Sequence, residues 1–595
     1  MVTRSDRFLS GLPEDAVYDL AVLGAGAPGL ACAAMAARLG CRVLLIERTA
    51  HVGGTSAYSA GTLWVPNTRH AQALDADDDV EKAADYLDRT VGNRSPRALR
   101  DRFLAAGPDA VAFLEDQAGV RLRARPFHPD YLSDIEGSTH FGRALEPMPF
   151  DGRLLGDDFD LVRPPIPEFT ILGGMMVDRD DIASLLTMTR SAKAFAHTLK
   201  LVGRHAADRL RRSRGTRLVM GNALVGHLLL AARRAGVDIA TDARVDRMLA
   251  TNGTVDGLVV EQGGVTRRIG VTRGVVLASG GFAGNAPMRS RYLPPSVPAF
   301  GPGAPGPKGE LHAMAMELGG FHGRDAWQPC FWAPCSVNRR ADGSLAVFPH
   351  FVFDRSKPGT VCVARDGRRF VNESISYHLF GAAMIERDEA GSTIPAFLIA
   401  DHAAMQKYGL GMVRPGARGL KRYLASGYVV EGRTPRELAE RLGIDAANLE
   451  QTMAQMKEHA ERGVDSEFGR GSTVYQRANG DPSHGPNPTL GALATAPFYA
   501  VRLYPCDIGS AQGFVTDADA CVLREDGSAV ENLYAIGNDM QSIMGGVYPG
   551  PGITLGPGIV FGYIAARHAA AKAASDSGSA AAPTTPERQD PQETT

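Results

Sequence analysis

The chain of 595 residues has little cysteine, and what it has is scattered. Its seven cysteines, Cys32, Cys41, Cys330, Cys335, Cys362, Cys506 and Cys521, include no CxxC pair and are odd in number. That spacing argues against a zinc centre and against a disulfide framework. An excess of one charge sign is also missing. Against 64 Lys and Arg stand 66 Asp and Glu, a formal net charge of -2, so long-range attraction of the whole molecule to nucleic acid is not expected. No run of about 18 apolar residues occurs, which argues against a membrane-spanning helix. The N-terminus lacks the apolar core of a signal peptide, and the expected compartment is the cytoplasm. No internal repeat is visible.

Glycine, by contrast, is abundant at 68 residues, well above the usual share of ~7%. It clusters at 24–29, 53–61, 280–284 and 545–558. Such clusters serve either close approach of backbone to a ligand or ordinary loop chemistry. The first cluster has a telling context. Residues 18–23 form a short apolar run with strand character, and Gly24-Ala25-Gly26-Ala27-Pro28-Gly29 follows. Residues 30–39 are Ala-rich and helical, and residues 42–46 are a second apolar strand ending at Glu47. In that setting GxGxxG is a dinucleotide fingerprint. Gly24 permits the tight turn, Gly26 lets a pyrophosphate approach, and Gly29 lets helix and strand pack. The helix N-terminus offers free N–H groups to the phosphates. Glu47 is placed to accept ribose hydroxyls. NAD and FAD share this fingerprint, so other elements must separate them.

Three such elements follow. His51-Val52-Gly53-Gly54-Thr55-Ser56 comes directly after the acid, with Gly61 just beyond. An apolar strand at 274–279 runs into Gly280-Gly281. Near the end stands Asn532-Leu533-Tyr534-Ala535-Ile536-Gly537-Asn538. In this order the four elements resemble the fumarate reductase/3-ketosteroid dehydrogenase superfamily of flavoproteins, over residues 18–573. The resemblance implies an α/β fold in which a split Rossmann-like FAD-binding domain carries an inserted α+β cap (catalytic) domain. It implies non-covalent FAD held by Gly24, Gly26, Gly29, Glu47, Gly53, Gly54, Thr55, Ser56, Gly61, Gly280, Gly281, Gly537, Asn538 and Leu555. Pro- and Gly-rich stretches at 284–309 and 478–497 read as crossings between domains. The expected division is therefore 1–300 and 486–574 for the FAD-binding domain and 301–485 for the cap. Residues 575–595, rich in Ala, Ser, Pro, Thr and Gln, read as a disordered tail.

The run Gly545-Gly546-Val547-Tyr548-Pro549-Gly550-Pro551-Gly552, continuing to Leu555-Gly556-Pro557, resembles the YPGxGxxxGP signature of 3-ketosteroid dehydrogenases. Fumarate reductases carry an Arg in this neighbourhood for a dicarboxylate. A neutral phenol suits a neutral ketone, because a buried cation without an anionic partner is costly. Gly367-Arg368-Arg369-Phe370-Val371-Asn372-Glu373, followed by Tyr377, resembles the family's cap segment. Pro129-Asp130-Tyr131 with Gly142-Arg143 resembles its PDY…GR segment. The resemblance implies that the Tyr548 hydroxyl and the Gly552 N–H bind the ketone oxygen as an oxyanion hole. Tyr377 takes a proton from C2 as phenolate, which a free phenol with pKa ~10 does not do unaided at neutral pH. Tyr131 donates a hydrogen bond to it, and a hydride passes from C1 to flavin N5. The implied activity is 1,2-dehydrogenation of a 3-ketosteroid with no metal. The acceptor of the electrons is open, a quinone being one candidate. A 3-ketosteroid 4-dehydrogenase acting at C4–C5, a fumarate- or enoate-type flavin reductase and a flavoprotein without turnover remain as alternatives.

The stretch 157–217 departs from the shorter steroid dehydrogenases. Within 190–217 nine Lys or Arg accompany one acid, Asp208. Arg190, Lys193, His197, Lys200, Arg204 and Arg211 recur at helical spacing, with Phe195, Leu199, Val202, Ala206 and Leu210 as a second stripe. Two readings stand: a helix packed on its own protein, or a peripheral contact with the inner face of a membrane.

Overall fold

A computed structural model describes residues 5–351 and 354–578. The strand Asp15–Leu23 sits at the centre of an eight-stranded sheet. It pairs in parallel with Val43–Ile46 on one side and Val265–Leu277 on the other. Asp238–Ala240 and Ala529–Ala535 extend the parallel core outward in both directions. The inner halves of these strands are apolar at consecutive positions because both faces of the sheet are covered. Residues 20–23 and 43–46 are all buried. The helix Ala27–Arg38 follows the first strand and packs against Met220–Arg234 and the long C-terminal helix Leu555–Gly578. Its alanines permit that close approach, and Pro28 occupies the first turn, where its missing N–H costs nothing. The antiparallel strands Ala243–Thr251 and Thr254–Gln262 flank the core.

A second sheet of six strands is wholly antiparallel. Its order is Leu345–Pro349, Cys330–Arg339, Phe498–Ser510, Ala396–Ala400 and Thr360–Val363, with Val429–Gly432 also paired to Phe498–Ser510. This sheet is the core of the inserted cap. Both expected domain limits need correction. The helix Glu310–Glu317 and His322 stay with the first sheet, where Phe321 N donates to the Leu523 carbonyl at 2.8 Å, so the cap sheet begins at Cys330. At the other end Phe498–Ser510 is hydrogen-bonded into the cap, so the return comes after Ser510 and not at 486. The Pro-rich segment near 486 is a loop within the cap, where Asn487 Nδ2 donates to the Gly463 carbonyl at 3.2 Å. Proline and glycine marked an irregular path but not a change of domain. The tail expected from 575 lies outside the described residues from 579 onward; 575–578 close the helix Leu555–Gly578.

The stretch 157–217 contains the helices Arg179–Thr187 and Ala192–Arg209. Asp178 and Asp181 form a reciprocal capping box at the start of the first. The basic helix docks along Ala194, Thr198, Leu201 and His205, a stripe at spacings of four, three and four. That stripe lies between the two faces expected from charge and hydropathy. As a result His197 and Arg204, grouped with the outward cations, pair with Asp181 (2.9 Å) and Asp151 (2.7 Å) of their own domain. Phe195 and Leu199 are exposed instead, at 51% and 61%. No helix among the described residues is long and apolar enough to cross a membrane.

Candidate active site

One cavity of ≈ 660 Å³ runs from the first glycine turn to the cap. At one end its wall is mostly backbone. Gly24 has φ +113°, and a Cβ there would collide with the Ala278 carbonyl, so neither the turn nor the strand beside it admits a side chain. Gly26, Gly54, Thr55, Ser56, Gly61, Gly280, Gly537, Asn538 and Leu555 line this end with Gly24. The Ser56 hydroxyl accepts from Ala27 N at 3.1 Å. Glu47 also lines the cavity. Its carboxylate accepts from Ala25 N (3.0 Å) and Thr49 N (2.9 Å), which fixes it at the end of the second strand with lone pairs to spare. Three expected residues stand behind the wall. Gly29 packs on the Gly24 carbonyl, Gly53 N donates to the Ala25 carbonyl (2.7 Å), and Gly281 N donates to Asp539 Oδ1 (2.7 Å). A backbone cradle at a helix N-terminus, with an acid at the end of the next strand, fits a dinucleotide pyrophosphate and ribose.

The other end is made of phenols. The Tyr131 hydroxyl donates to the Tyr377 hydroxyl at 3.3 Å. Tyr131 stacks on Tyr548 with centroids 5.7 Å apart, and Tyr377 meets Tyr548 nearly edge-on at 5.2 Å. Gly552 lines the same wall at φ +95°, and a Cβ there would strike the Thr62 carbonyl. The four residues expected from the resemblance thus come together from three distant segments.

Residues 19–555 match the FAD-binding domain family. The chain belongs to that family. It is an FAD-dependent oxidoreductase. The chain is 36% identical over 93% of its length to the 4-oxocyclohex-2-ene-1-carboxylate 5-dehydrogenase of Sinomonas cyclohexanicum, of which 93% is covered. It is 34% identical over 94% of its length to the 3-oxosteroid 1-dehydrogenase of Mycolicibacterium smegmatis, of which 98% is covered. Among solved structures it resembles the 3-ketosteroid delta1-dehydrogenase of Sterolibacterium denitrificans in complex with 1,4-androstadiene-3,17-dione. That likeness has a TM-score of 0.86 and 33% identity over 93% of this chain and all of the other.

In this flavoprotein the phenols are held by buried ion pairs. Asp130 accepts from Trp64 Nε1 (2.7 Å) and from Arg143 Nη1 (2.8 Å), and Arg143 also binds Asp78. The PDY…GR segment is therefore one charged clamp that sets the backbone of Tyr131. The Pro549 carbonyl accepts from Tyr131 N (2.8 Å) and the Tyr86 hydroxyl (2.7 Å), tying that clamp to the Tyr548 turn. Arg369 grips Glu373 (2.7 Å) and Asp465 (2.8 Å) in the cap. Glu373 leads into the Ser376-capped helix Tyr377–Glu386. His378 joins the two walls: its ring Nδ1 accepts from Trp332 N at 3.1 Å and its Nε2 donates to the Gly546 carbonyl at 2.9 Å. Burial pushes its pKa down to about 3, so it stays neutral.

Burial raises the pKa of Tyr377 well above the phenol range, and the neighbouring Tyr131 and Tyr548 push it the same way. Tyr131 and Tyr548 are raised first by burial as well. One feature opposes this for Tyr377. It is the first residue of its helix, where the macrodipole favours negative charge. Sequence reasoning missed Tyr475, which packs on Tyr131 at 4.8 Å, and Asp539. The latter gathers Ser279 N, the Ser279 hydroxyl (3.0 Å), Gly281 N and buried His312 (2.9 Å) beneath the second glycine turn. An acid directly after Gly537-Asn538 was the available signal.

Proposed function

We propose that this enzyme dehydrogenates the C1–C2 bond of a 3-ketosteroid. The observation that carries the reading is the convergence of Tyr131, Tyr377, Tyr548 and Gly552 at one end of the FAD cavity, with no charged side chain among them. The Tyr548 hydroxyl and the Gly552 N–H donate to the ketone oxygen and hold enolate charge as it develops. Tyr377 accepts the C2 proton, assisted by its helix N-terminus and by the hydrogen bond from Tyr131. The apolar rings of Phe351 and Tyr475 keep water from the phenols. The glycine cradle and Glu47 would hold FAD, which would supply the oxidising power for removal of the hydride from C1. Anaerobic mixing with 4-androstene-3,17-dione, followed by product identification, tests this: flavin bleaching with formation of the 1,4-diene is expected. Bleaching with a C4–C5 product from a saturated ketone would transfer the reading to a 4-dehydrogenase.

A second reading is favoured by the 36% identity to the Sinomonas enzyme. It keeps the same chemistry on a single-ring oxo acid, and 4-oxocyclohex-2-ene-1-carboxylate as substrate separates the two. We also propose that the basic helix contacts anionic lipid on the inner face of the membrane. Exposed Phe195 and Leu199 beside Lys193 and Lys200, with Ile182 and Leu186 exposed on the adjoining helix, support this.

A further inference from the structure

Tyr377 and Tyr548 must act on adjacent substrate carbons. The base reaches a proton on C2 while the phenol of Tyr548 holds the oxygen on C3, so the ketone dictates how far apart the two hydroxyls stand. The rings meet nearly edge-on at 5.2 Å, but contact between rings alone sets no hydrogen-bonding geometry for the hydroxyls. One side chain spans the two segments that carry them. His378 follows Tyr377 in the helix Tyr377–Glu386, and its Nε2 reaches across 168 residues of sequence to the carbonyl of Gly546, in the turn that leads into Tyr548.

That link closes a circuit of contacts. Nδ1 of His378 accepts from Trp332 N at the point where the pairing of Cys330–Arg339 with Phe498–Ser510 shifts register. Trp332 Nε1 donates to Gln328 Oε1 at 2.8 Å, and the neighbouring Trp327 N donates to the Gly545 carbonyl at 2.9 Å. The circuit thus returns to the Tyr548 turn by a second route. At Gly381, one turn along the helix, a Cβ would lie 2.5 Å from that of Trp332, so the helix already rests on the strand. His378, Trp332 and Gly546 are all buried, where no water can replace a lost partner. Because Nδ1 accepts, the ring proton sits on Nε2, and burial keeps the ring neutral in that single tautomer.

We propose that His378 is a positioning residue for the dehydrogenation: its two ring nitrogens lock the helix that carries the base Tyr377 to the turn that carries the ketone donor Tyr548. The inference rests on the ketone chemistry proposed above. His378 stands behind the cavity wall, so it acts through the two phenols and not on the substrate.

Two substitutions divide the role. Asparagine puts an acceptor where Nδ1 stands but has no donor at the reach of Nε2, so it keeps Trp332 and releases the Tyr548 turn. Glutamine has an amide N–H at the reach of Nε2 and keeps the turn. Stopped-flow flavin reduction of the FAD-loaded enzyme by 4-androstene-3,17-dione is the measurement. His378→Asn should lower the limiting rate about a hundredfold, the effect of a misplacement of about 1 Å, while the steroid concentration for half-maximal rate changes far less. His378→Gln should recover most of that loss. With substrate deuterated at C2, the isotope effect should be larger in His378→Asn than in the unaltered enzyme, because misalignment slows proton removal in particular; a general loosening of the fold does not single out that step. Equal rates in the two variants, an isotope effect unchanged from the unaltered enzyme, or loss of flavin from both during purification overturns the positioning role and leaves His378 as a packing residue. If the flavin is reduced only by 4-oxocyclohex-2-ene-1-carboxylate, the same comparison is made with that ketone. Failure of the ketone reading shows itself separately, as no flavin reduction in the unaltered enzyme by either compound, and removes the positioning role with it.

Discussion

The two ends of the cavity are built from different material. At the pyrophosphate end the wall is mostly backbone, from the strand–turn–helix unit around Gly24 and from the glycine turns near residues 54, 280 and 537. At the phenol end they are the side chains of residues 131, 377 and 548 beside the backbone of Gly552, brought together by ion pairs and hydrogen bonds between distant segments. The first kind of site is specified locally and fails through backbone geometry. The second is specified by packing and fails one functional group at a time.

Substitutions at the two ends should therefore behave differently. The largest effect is expected from Gly24→Val. The residue needs φ +113° and has the Ala278 carbonyl where a side chain would go, so the protein should purify without flavin and with no measurable turnover; a yellow, active variant would contradict the cradle. Tyr377→Phe should keep full flavin but slow flavin reduction by about a thousandfold, within the range for loss of a general base. Steroid should still perturb the flavin spectrum on binding. Tyr548→Phe should cost about ten- to a thousandfold in turnover, the worth of one oxyanion donor, and unchanged turnover would reduce this ring to packing.

Tyr131→Phe sharpens the comparison further, through pH. The base works only when deprotonated, and burial raises the Tyr377 pKa, so the rising limb of the pH–rate profile should lie on the alkaline side. As a neutral donor Tyr131 lowers that pKa; as a group that ionises first it raises it. A limb displaced to higher pH in Tyr131→Phe identifies the donor, and displacement to lower pH would exchange the roles of the two phenols. The smallest effect is expected at the surface. Replacing Arg190, Lys193 and Lys200 by Glu should abolish sedimentation with anionic liposomes at low salt, with about 1 kcal/mol lost per cation, and leave flavin content unchanged. Arg204 is excluded because it pairs with Asp151. If the unaltered protein never sediments with liposomes, the exposed Phe195 and Leu199 have another use.

The same contrast explains what could be read in advance. The first strand–turn–helix–strand unit was legible because it is written within about 30 consecutive residues, in apolar runs, glycine spacing and an acid at a strand end. The phenols were identifiable only through resemblance, since nothing in the spacing of residues 131, 377 and 548 announces that they meet. Asp130, Arg143 and Arg369 stood inside recognisable segments, yet their partners Asp78 and Asp465 lie elsewhere in the chain. The limits of the cap were misplaced because strand pairing is a property of two segments, whereas proline and glycine report only the local path. The basic helix was correctly expected as a helix, but its orientation was not, because the acids that hold it, Asp151 and Asp181, come from outside its own sequence.

The position of two late strands bears on how the chain is made. Phe498–Ser510 is the central member of the cap sheet, and Ala529–Ala535 completes the parallel core beside Val265–Leu277. Both are therefore missing until more than four-fifths of the protein has left the ribosome. Until then Cys330–Arg339 and Ala396–Ala400 each lack the neighbour between them, and their unpaired edges are open to other chains. Pairings of such long sequence separation are slow to form. Synthesis of this enzyme thus passes through a stage with two unfinished sheets, and a truncation before residue 498 should yield aggregate instead of a smaller folded domain.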